Sequence, residues 1–444
     1  MTDPVVIVGG GFSGTLLAIN LLRFGGPDAV LVERAGDRIA RGVAYSATEP
    51  AHLLNVRAAG MSAFPDDAGH FVRWLGTRDA GSAQTFVPRL LYGEYLRETL
   101  DAVRDARLTL IEGDVVDVDA GGVTLADGRR VAADSIVLAT GNLPPHTPPG
   151  VDPALLPSGR YIDDPWRSRP GEGLGAEDVV VLLGTGLTAI DVALQLDASG
   201  FAGTVLAMSR RGLKPRRHRD GLPPPTGETD LPGVPLSGIV RQLRERAARE
   251  GWRAAVDAMR PITQRLWSAS DAATRKRFLR HVRPFWDVHR HRLAPPVADR
   301  IDMLVESGRL RFVAGKVASV TAEGAGVCIQ WRPRHGDDVE PLRAARIVNC
   351  TGPQGDLTRT DDTLLRTLAA RGAIRPDPLR LGIDVDAQSR VIDGEGRAQD
   401  ALCCIGPMTR GGLWEVVAVP DIRRQAWDLA RRLSHAQWVG GEGL

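Results

Sequence analysis

Pro4-Val5-Val6-Ile7-Val8 runs straight into Gly9-Gly10-Gly11-Phe12-Ser13-Gly14, and residues 15–24 follow with apolar side chains at helical spacing. An all-apolar, mostly β-branched run reads as a buried strand, the glycines as a tight turn and the remainder as a helix. The glycines have separate tasks: Gly9 permits the turn, Gly11 lets a pyrophosphate approach the backbone, and Gly14 lets helix and strand pack closely. Phe12 and Ser13 open the helix, where free N–H groups and the positive end of the dipole receive phosphate charge. A glycine pattern alone is weak evidence. Here a second strand, Ala29-Val30-Leu31-Val32, ends in Glu33, about 20 residues past the glycines, where an acid that binds a ribose hydroxyl belongs. The combination predicts a dinucleotide site.

The pattern recurs after a proline-rich crossing over residues 144–170. Val179-Val180-Val181-Leu182-Leu183 reads as a strand, Gly184-Thr185-Gly186-Leu187-Thr188-Ala189 as a second phosphate turn, and residues 190–196 as the start of a helix. The next strand, 204–208, ends not in an acid but in Ser209-Arg210-Arg211-Gly212. A guanidinium fork suits a ribose 2′-phosphate, which a carboxylate would repel. This site is expected to take NADPH through Gly184, Gly186, Leu187, Thr188, Ser209, Arg210 and Arg211; the plainer reading of the arginines is a solvated pair at a strand end. Two dinucleotide sites in one chain imply a hydride donor and a separate acceptor, hence an oxidoreductase that holds FAD as well as NADPH.

Composition agrees with small-molecule partners. At 444 residues the chain exceeds one ordinary core, and a 43% apolar fraction is enough to bury two. A net charge of +2 creates no global field to recruit nucleic acid or a membrane. Cys328, Cys350, Cys403 and Cys404 show no C-x-x-C spacing, which argues against a dithiol relay and, with a start that lacks a charged leader, for the cytoplasm. The basic stretch 214–219, with Trp252, Trp267 and Trp286 beyond it, is interrupted by Glu245, Glu250, Asp257 and Asp271; it reads as amphipathic helices, not as a nucleic-acid surface. In His289-Arg290-His291-Arg292, adjacent side chains on a helix diverge, so no metal site is expected.

The strand at 135–138 stops in Ala139-Thr140-Gly141, which resembles the strand closing the FAD domain in two-dinucleotide flavoproteins of the glutathione-reductase type. That resemblance implies an α/β fold of two Rossmann-like domains with a helical insertion, and places Thr140 and Gly141 close to the cofactor. It also implies a backbone contact from Val115 to adenine, although plain core serves equally well for that residue. By the same likeness, strand 401–405 with Gly406-Pro407 meets the flavin, and Gly411-Gly412-Leu413-Trp414-Glu415 leads into a helix, started or kinked at Pro420, whose free N–H groups face the flavin. The strand 345–350, also ending Thr351-Gly352, reads as the return to the first domain. The expected division is 1–150 and 345–444 for FAD, and 151–344 for NADPH, with the helical insertion at about 222–300.

Several segments resemble one narrower group, the bacterial FAD/NAD(P)-binding proteins related to flavin-dependent N-hydroxylating monooxygenases. They are Arg41-Gly42-Val43-Ala44-Tyr45-Ser46, His52-Leu53-Leu54-Asn55-Val56, Pro88-Arg89, Tyr92-Gly93-Glu94-Tyr95-Leu96, the second glycine turn, the stretch Arg283-Pro284-Phe285-Trp286 to Arg292, and Gly412-Leu413-Trp414-Glu415. The kinship implies that NADPH reduces FAD, that O2 adds to the flavin, and that a flavin hydroperoxide oxygenates an amine or similar nucleophile of a small molecule. It implies Tyr45, Leu413 and Trp414 as FAD contacts, and Asn55 as a hydrogen-bonding catalytic candidate, with His52 weaker; both alternatively satisfy loop backbone. Arg89 and Tyr92 are expected to reach FAD phosphate or adenine, or to be an ordinary surface arginine and a half-buried tyrosine. The insertion is expected to roof a substrate pocket, with Trp286 as apolar wall and Arg290 or Arg292 as carboxylate anchor. A flavin reductase without oxygenation and a non-catalytic FAD-binding redox partner are the competing functions, and a homo-oligomer is compatible with all three.

Overall fold

The computed structural model describes residues 3–46, 49–219 and 233–435. Strand β1 (Val5–Val8) is buried along its whole length, as a parallel strand covered on both faces must be. Helix α1 (Phe12–Arg23) returns the chain to β2 (Ala29–Glu33), which pairs parallel to β1 with Val5 opposite Ala29. An excursion through α2 (His70–Gly76) and α3 (Arg89–Val103) precedes β3 (Leu108–Glu112). A small antiparallel sheet, β4 (Val115–Asp119), β5 (Gly122–Leu125) and β6 (Arg130–Val131), then leads to β7 (Ser135–Leu138), parallel to β1 on its other side.

The second sheet begins with β8 (Tyr161–Ile162) and β9 (Val179–Leu183), followed by α4 (Leu187–Ala198) and β10 (Thr204–Ser209). The helical insertion comprises α5 (Leu236–Glu250), α6 (Trp252–Ala269), α7 (Ala272–Arg277), a π-helical turn at Phe278–Val282 and α8 (Arg283–Arg290). Its expected start near residue 222 lies outside the described residues. Helix α9 (Pro295–Glu306) leads into β11 (Leu310–Glu323), β12 (Gly326–Pro333), β13 (Glu340–Ala344) and β14 (Arg346–Asn349). The chain then runs through α10 (Thr363–Ala370) to β15 (Arg390–Ile392), β16 (Ala398–Cys404) and α11 (Val419–Leu433), which carries Pro420 in its first turn.

Strand order is β15-β16-β7-β1-β2-β3 in the first sheet and β13-β12-β11-β10-β9-β14-β8 in the second. Alternation sorts each central strand into two cores. Val5 and Ile7 join the cluster under α1, α3 and α11, whereas Val6 and Val8 join the one under α10 and the small sheet. Val180 and Leu182 pack likewise on α4 and α9, and Val181 and Leu183 on the other face.

One expectation needs correction. The strand at 345–350 does not return to the first sheet: β14 pairs parallel with β9, Val348 opposite Leu182, so the crossing back follows Asn349. The apolar centres of buried parallel strands read alike in either sheet, and only the tertiary pairing decides which neighbour they join. The first-sheet strand is β16, with Cys403 opposite Val137.

Candidate functional site

At the C-terminal end of β1 the turn is built so that only glycine fits. A Cβ on Gly9, which has φ +109°, would run into the Ala139 carbonyl, and one on Gly14 would meet the carbonyl of Gly9. Helix α1 starts at Gly11 without a side-chain cap, which leaves first-turn N–H groups for an anion. The Glu33 carboxylate sits at the adjacent strand tip, accepting from the Gly10 amide at 2.7 Å and the Ala35 amide at 3.3 Å. Gly42 crosses above Gly11, at 3.1 Å from the position of its own absent Cβ, and the loop continues to Tyr45. Tyr45 packs edge-on against Phe12 and Tyr92, with centroids at 5.7 and 4.7 Å. Burial holds the Tyr92 hydroxyl well above the usual phenol range, and it raises Tyr45 too, with Arg89 acting the other way. Around this cradle Arg41 Nε, Tyr92 Oη and Thr140 Oγ1 are buried with no hydrogen-bond partner among the described residues. An uncapped helix start, a tethered acid and three polar atoms with unused valence suit the phosphate and ribose of FAD.

Gly406, with φ +82°, brings the end of β16 so close to α1 that its Cβ would meet Ser13 Oγ; its amide donates to Gln425 Oε1 at 2.8 Å. Pro407 follows in a single 3-10 turn, Pro407–Thr409. Val115 is buried in the small sheet, paired with Leu125.

The second turn repeats the first. A Cβ on Gly184, φ +129°, would strike the Cys350 carbonyl, and α4 starts at Gly186 without a side-chain cap. Thr185 Oγ1 and Ser209 Oγ lie 2.9 Å apart, and Ser209 Oγ accepts from the Gly212 amide at 3.0 Å. Leu187 and Thr188 form the first turn of α4. Arg210 is exposed, while the Arg211 guanidinium lies 4.8 Å over the Phe285 ring. Among the described residues, and apart from its own chain neighbours, nothing lies within 4 Å of a Cβ built on Gly186, Gly141 or Gly352.

Between the two turns stands Asp191, a buried residue of α4 that sequence reasoning missed. Arg89 Nη2 donates to its Oδ2 at 2.8 Å, and His52 Nε2 lies 3.1 Å from its backbone oxygen. His52 and Arg89 therefore tie the two units together through Asp191, while the buried His52 Nδ1 has no hydrogen-bond partner among the described residues. Asn55 belongs to the same seam: its carbonyl lies 3.0 Å from His218 Nε2. Burial pushes His218 down to about 4, with the Asn55 hydrogen bond opposing.

The insertion docks on the segment after β16. Trp267 Nε1 donates to the Gly411 carbonyl at 2.8 Å, Gln264 Nε2 to that of Gly412 at 2.9 Å, and the Trp414 indole stacks on Trp267 at 4.6 Å. Leu413, partly buried, packs against the cluster under α1. Beside this contact is a cluster of buried charge. Arg290 Nε lies 3.5 Å from Glu415 Oε2, with both side chains largely buried. Trp286 Nε1, Asp287 Oδ1, Arg290 Nε, Arg410 Nε and Glu415 Oε2 all lack a hydrogen-bond partner among the described residues. Burial lowers Arg410 to about 10, with Arg283 acting in the same direction and Asp287 and Glu415 opposing. It also lowers His291 to about 3, reinforced by Arg290, Arg410, Arg283 and Arg260. Arg292 is spoken for: it forks onto Asp257 at 3.0 and 2.7 Å. Sequence reasoning missed Asp287, Arg410 and Glu415, although all three stand in or beside segments it singled out, because no local pattern shows that helix and loop will meet.

Residues 6–143 match a family model described as FAD-NAD(P)-binding. Over the whole chain the fold matches that of ornithine hydroxylase from Pseudomonas aeruginosa, 16% identical with a TM-score of 0.65, covering 98% of this chain and 99% of that one. L-lysine 6-monooxygenase from Pseudomonas syringae gives 16% identity and a TM-score of 0.67 over 98% and 99% of the two chains. The cadaverine monooxygenase DfoA from Erwinia amylovora gives 12% and 0.68 over 98% and 95%. The chain shares the overall fold of these three enzymes.

Proposed function

We propose that this chain is an FAD-dependent, NADPH-consuming monooxygenase that oxygenates an amine or comparable soft nucleophile of a small molecule. The observation that carries it is the pair of uncapped helix starts in one polypeptide, with a carboxylate at one adjacent strand tip and an arginine at the other. The solved structures of like fold, an ornithine hydroxylase, an L-lysine 6-monooxygenase and a cadaverine monooxygenase, support the same reading. The first unit, 1–150 with 351–444, would hold FAD, and the second, 151–350, NADPH.

Bound FAD supplies the redox and oxygen chemistry, accepting hydride from NADPH and activating O2. The chain's own residues bind, orient and exclude water. Glu33 takes a ribose hydroxyl, the first turn of α1 takes phosphate, and Gly406 and Pro407 bring the end of β16 to that turn. Ser209, Arg210 and Arg211 sort NADPH from NADH. Asn55 lies in the seam between the units and would hydrogen-bond the flavin or the nicotinamide. Trp286 offers an apolar wall, and Arg290 and Glu415, dry and incompletely bonded, offer polar anchors to a substrate at the cost of about 1–3 kcal/mol for each group left unpaired. A dry site of this kind is what an oxygenation needs to outrun wasteful loss of peroxide.

The test is electron balance. Flavin-loaded protein given NADPH, O2 and a panel of primary amines should consume NADPH faster with one substrate class and convert it to an oxygenated product. If every electron from NADPH emerges as hydrogen peroxide whatever the substrate, the protein is a reductase; if NADPH leaves the flavin oxidised, it is not an enzyme of this class.

A further inference from the structure

An open cleft of about 630 Å³ collects side chains from three stretches of chain: Arg210 at the end of β10, Lys276 and Arg280 from the insertion, and Arg380 from the turn that precedes β15. These four cations line it, and no acid is among its described lining residues. Among the described residues no carboxylate pairs with Arg210, Lys276 or Arg280, and Arg380 reaches Asp356 only at 3.7 Å. Like charges gathered in one concavity raise its potential, and an anion relieves it. Leu279 and Leu379 add apolar surface on which a base can lie.

The backbone holds these groups deliberately. Lys276 and Arg280 are separated by one turn, and the second stands in the π-helical stretch Phe278–Val282, a rare widened turn that is frequent at functional sites. Arg380 has φ +57°, the left-handed region that non-glycine residues seldom occupy. Asp377 secures that turn: its carboxylate accepts the amides of Leu379, Leu381 and Gly382. Gly411 packs against it so tightly that a Cβ would meet the Asp377 carboxyl group.

We propose that Lys276, Arg280 and Arg380 complete, with Arg210, a clamp on the adenosine 2′-phosphate of NADPH. Discrimination between the two nicotinamide nucleotides is then set by three stretches of chain, not by the strand tip alone. The inference rests on the reading of the second glycine turn as the NADPH site. It adds that the insertion and the segment before β15 both close on the nucleotide, so its arrival bears on the Gly411 loop where the insertion docks.

Calorimetric titration of the flavin-loaded protein with 2′,5′-ADP and with adenosine 5′-monophosphate tests it, using Lys276→Ala, Arg280→Ala and Arg380→Ala, with Lys316→Ala as an exposed cation outside the cleft. Each of the three should weaken 2′,5′-ADP about 3- to 10-fold and leave adenosine 5′-monophosphate within about twofold. The loss should shrink as salt screens the cleft. Unchanged 2′,5′-ADP binding in all three, or an equal loss for both nucleotides, overturns the clamp. The preference for NADPH over NADH in flavin reduction separates the two levels. If Arg210→Glu abolishes it while the three alanine variants keep it, the clamp alone falls; if Arg210→Glu also keeps it, the reading of the second turn falls with the clamp.

Discussion

Around β1 and around β9 the chain builds the same arrangement: a central strand, an uncapped helix, and a flanking parallel strand ending in Thr-Gly. Gly9 closes on the Ala139 carbonyl as Gly184 closes on that of Cys350, and Gly141 and Gly352 follow with φ of +71° and +84°. The units differ in what surrounds the turn. The first is roofed by the Gly42–Tyr45 loop and by α3, with Glu33 already hydrogen-bonded to Gly10. Over the second, Gly186 meets no neighbour and Arg210 stands in an open, cationic cleft. On the proposed reading one backbone plan would serve a ligand that stays and a ligand that exchanges, because enclosure and strand-tip charge are independent of the turn itself.

The most severe way to break the comparison is to fill each turn. Gly14→Val forces a side chain into the Gly9 carbonyl, and the purified protein should lack bound flavin. Gly184→Val adds strain on the order of 1–3 kcal/mol at a positive φ; that variant should keep its colour while losing reduction by NADPH, read by stopped-flow bleaching. If Gly184→Val emerges colourless and Gly14→Val yellow, the assignment of the two ligands is reversed.

Charge at the strand tips gives the next largest effect. Arg210→Glu with Arg211→Glu should lower the ratio of kcat/KM for NADPH over NADH by about 10- to 100-fold. Glu33→Gln should weaken FAD about tenfold, measured by flavin fluorescence, and leave that ratio alone.

The seam between the units is a smaller contributor. Asp191→Asn removes the charge that Arg89 pairs with in a largely buried place and should cost about 1–3 kcal/mol in urea unfolding. It should also raise KM for NADPH more than it lowers flavin occupancy, since α4 carries the second turn. A variant as stable as the parent shows that Arg89 and Asp191 do not couple the units.

The gentlest effect is that of pH. Burial holds His218 at about 4 and His291 at about 3, both below the ordinary 6.5 of the unfolded chain. Between 6.5 and those values the unfolded chain carries protons that the folded one refuses, so stability falls as pH falls across that window and is flat above it. Urea midpoints from pH 7 to 4.5 check this; His218→Gln should flatten part of the slope.

Both glycine turns, Glu33, Ser209-Arg210-Arg211 and the order of most elements were legible in the sequence because each is a local requirement. A phosphate needs bare backbone at a helix start, and a buried parallel strand needs an unbroken apolar run. The site beyond the cofactors was not legible. Glu415 and Arg290, or His52 and Asp191, meet only because distant elements pack, and Arg292 looked free until Asp257 appeared opposite it.

By itself the sequence determined that two glycine turns each join a buried strand to a helix, and which neighbouring strand tip is acidic and which basic, since short-range sterics and charge dictate those choices. Tertiary structure alone decided that β14 belongs to the second sheet, that Asp191 bridges the units, and that four cations share a cleft. Strand register, ion pairs across elements and the shape of a cleft depend on which surfaces meet, and a chain read in order carries no record of its own contacts.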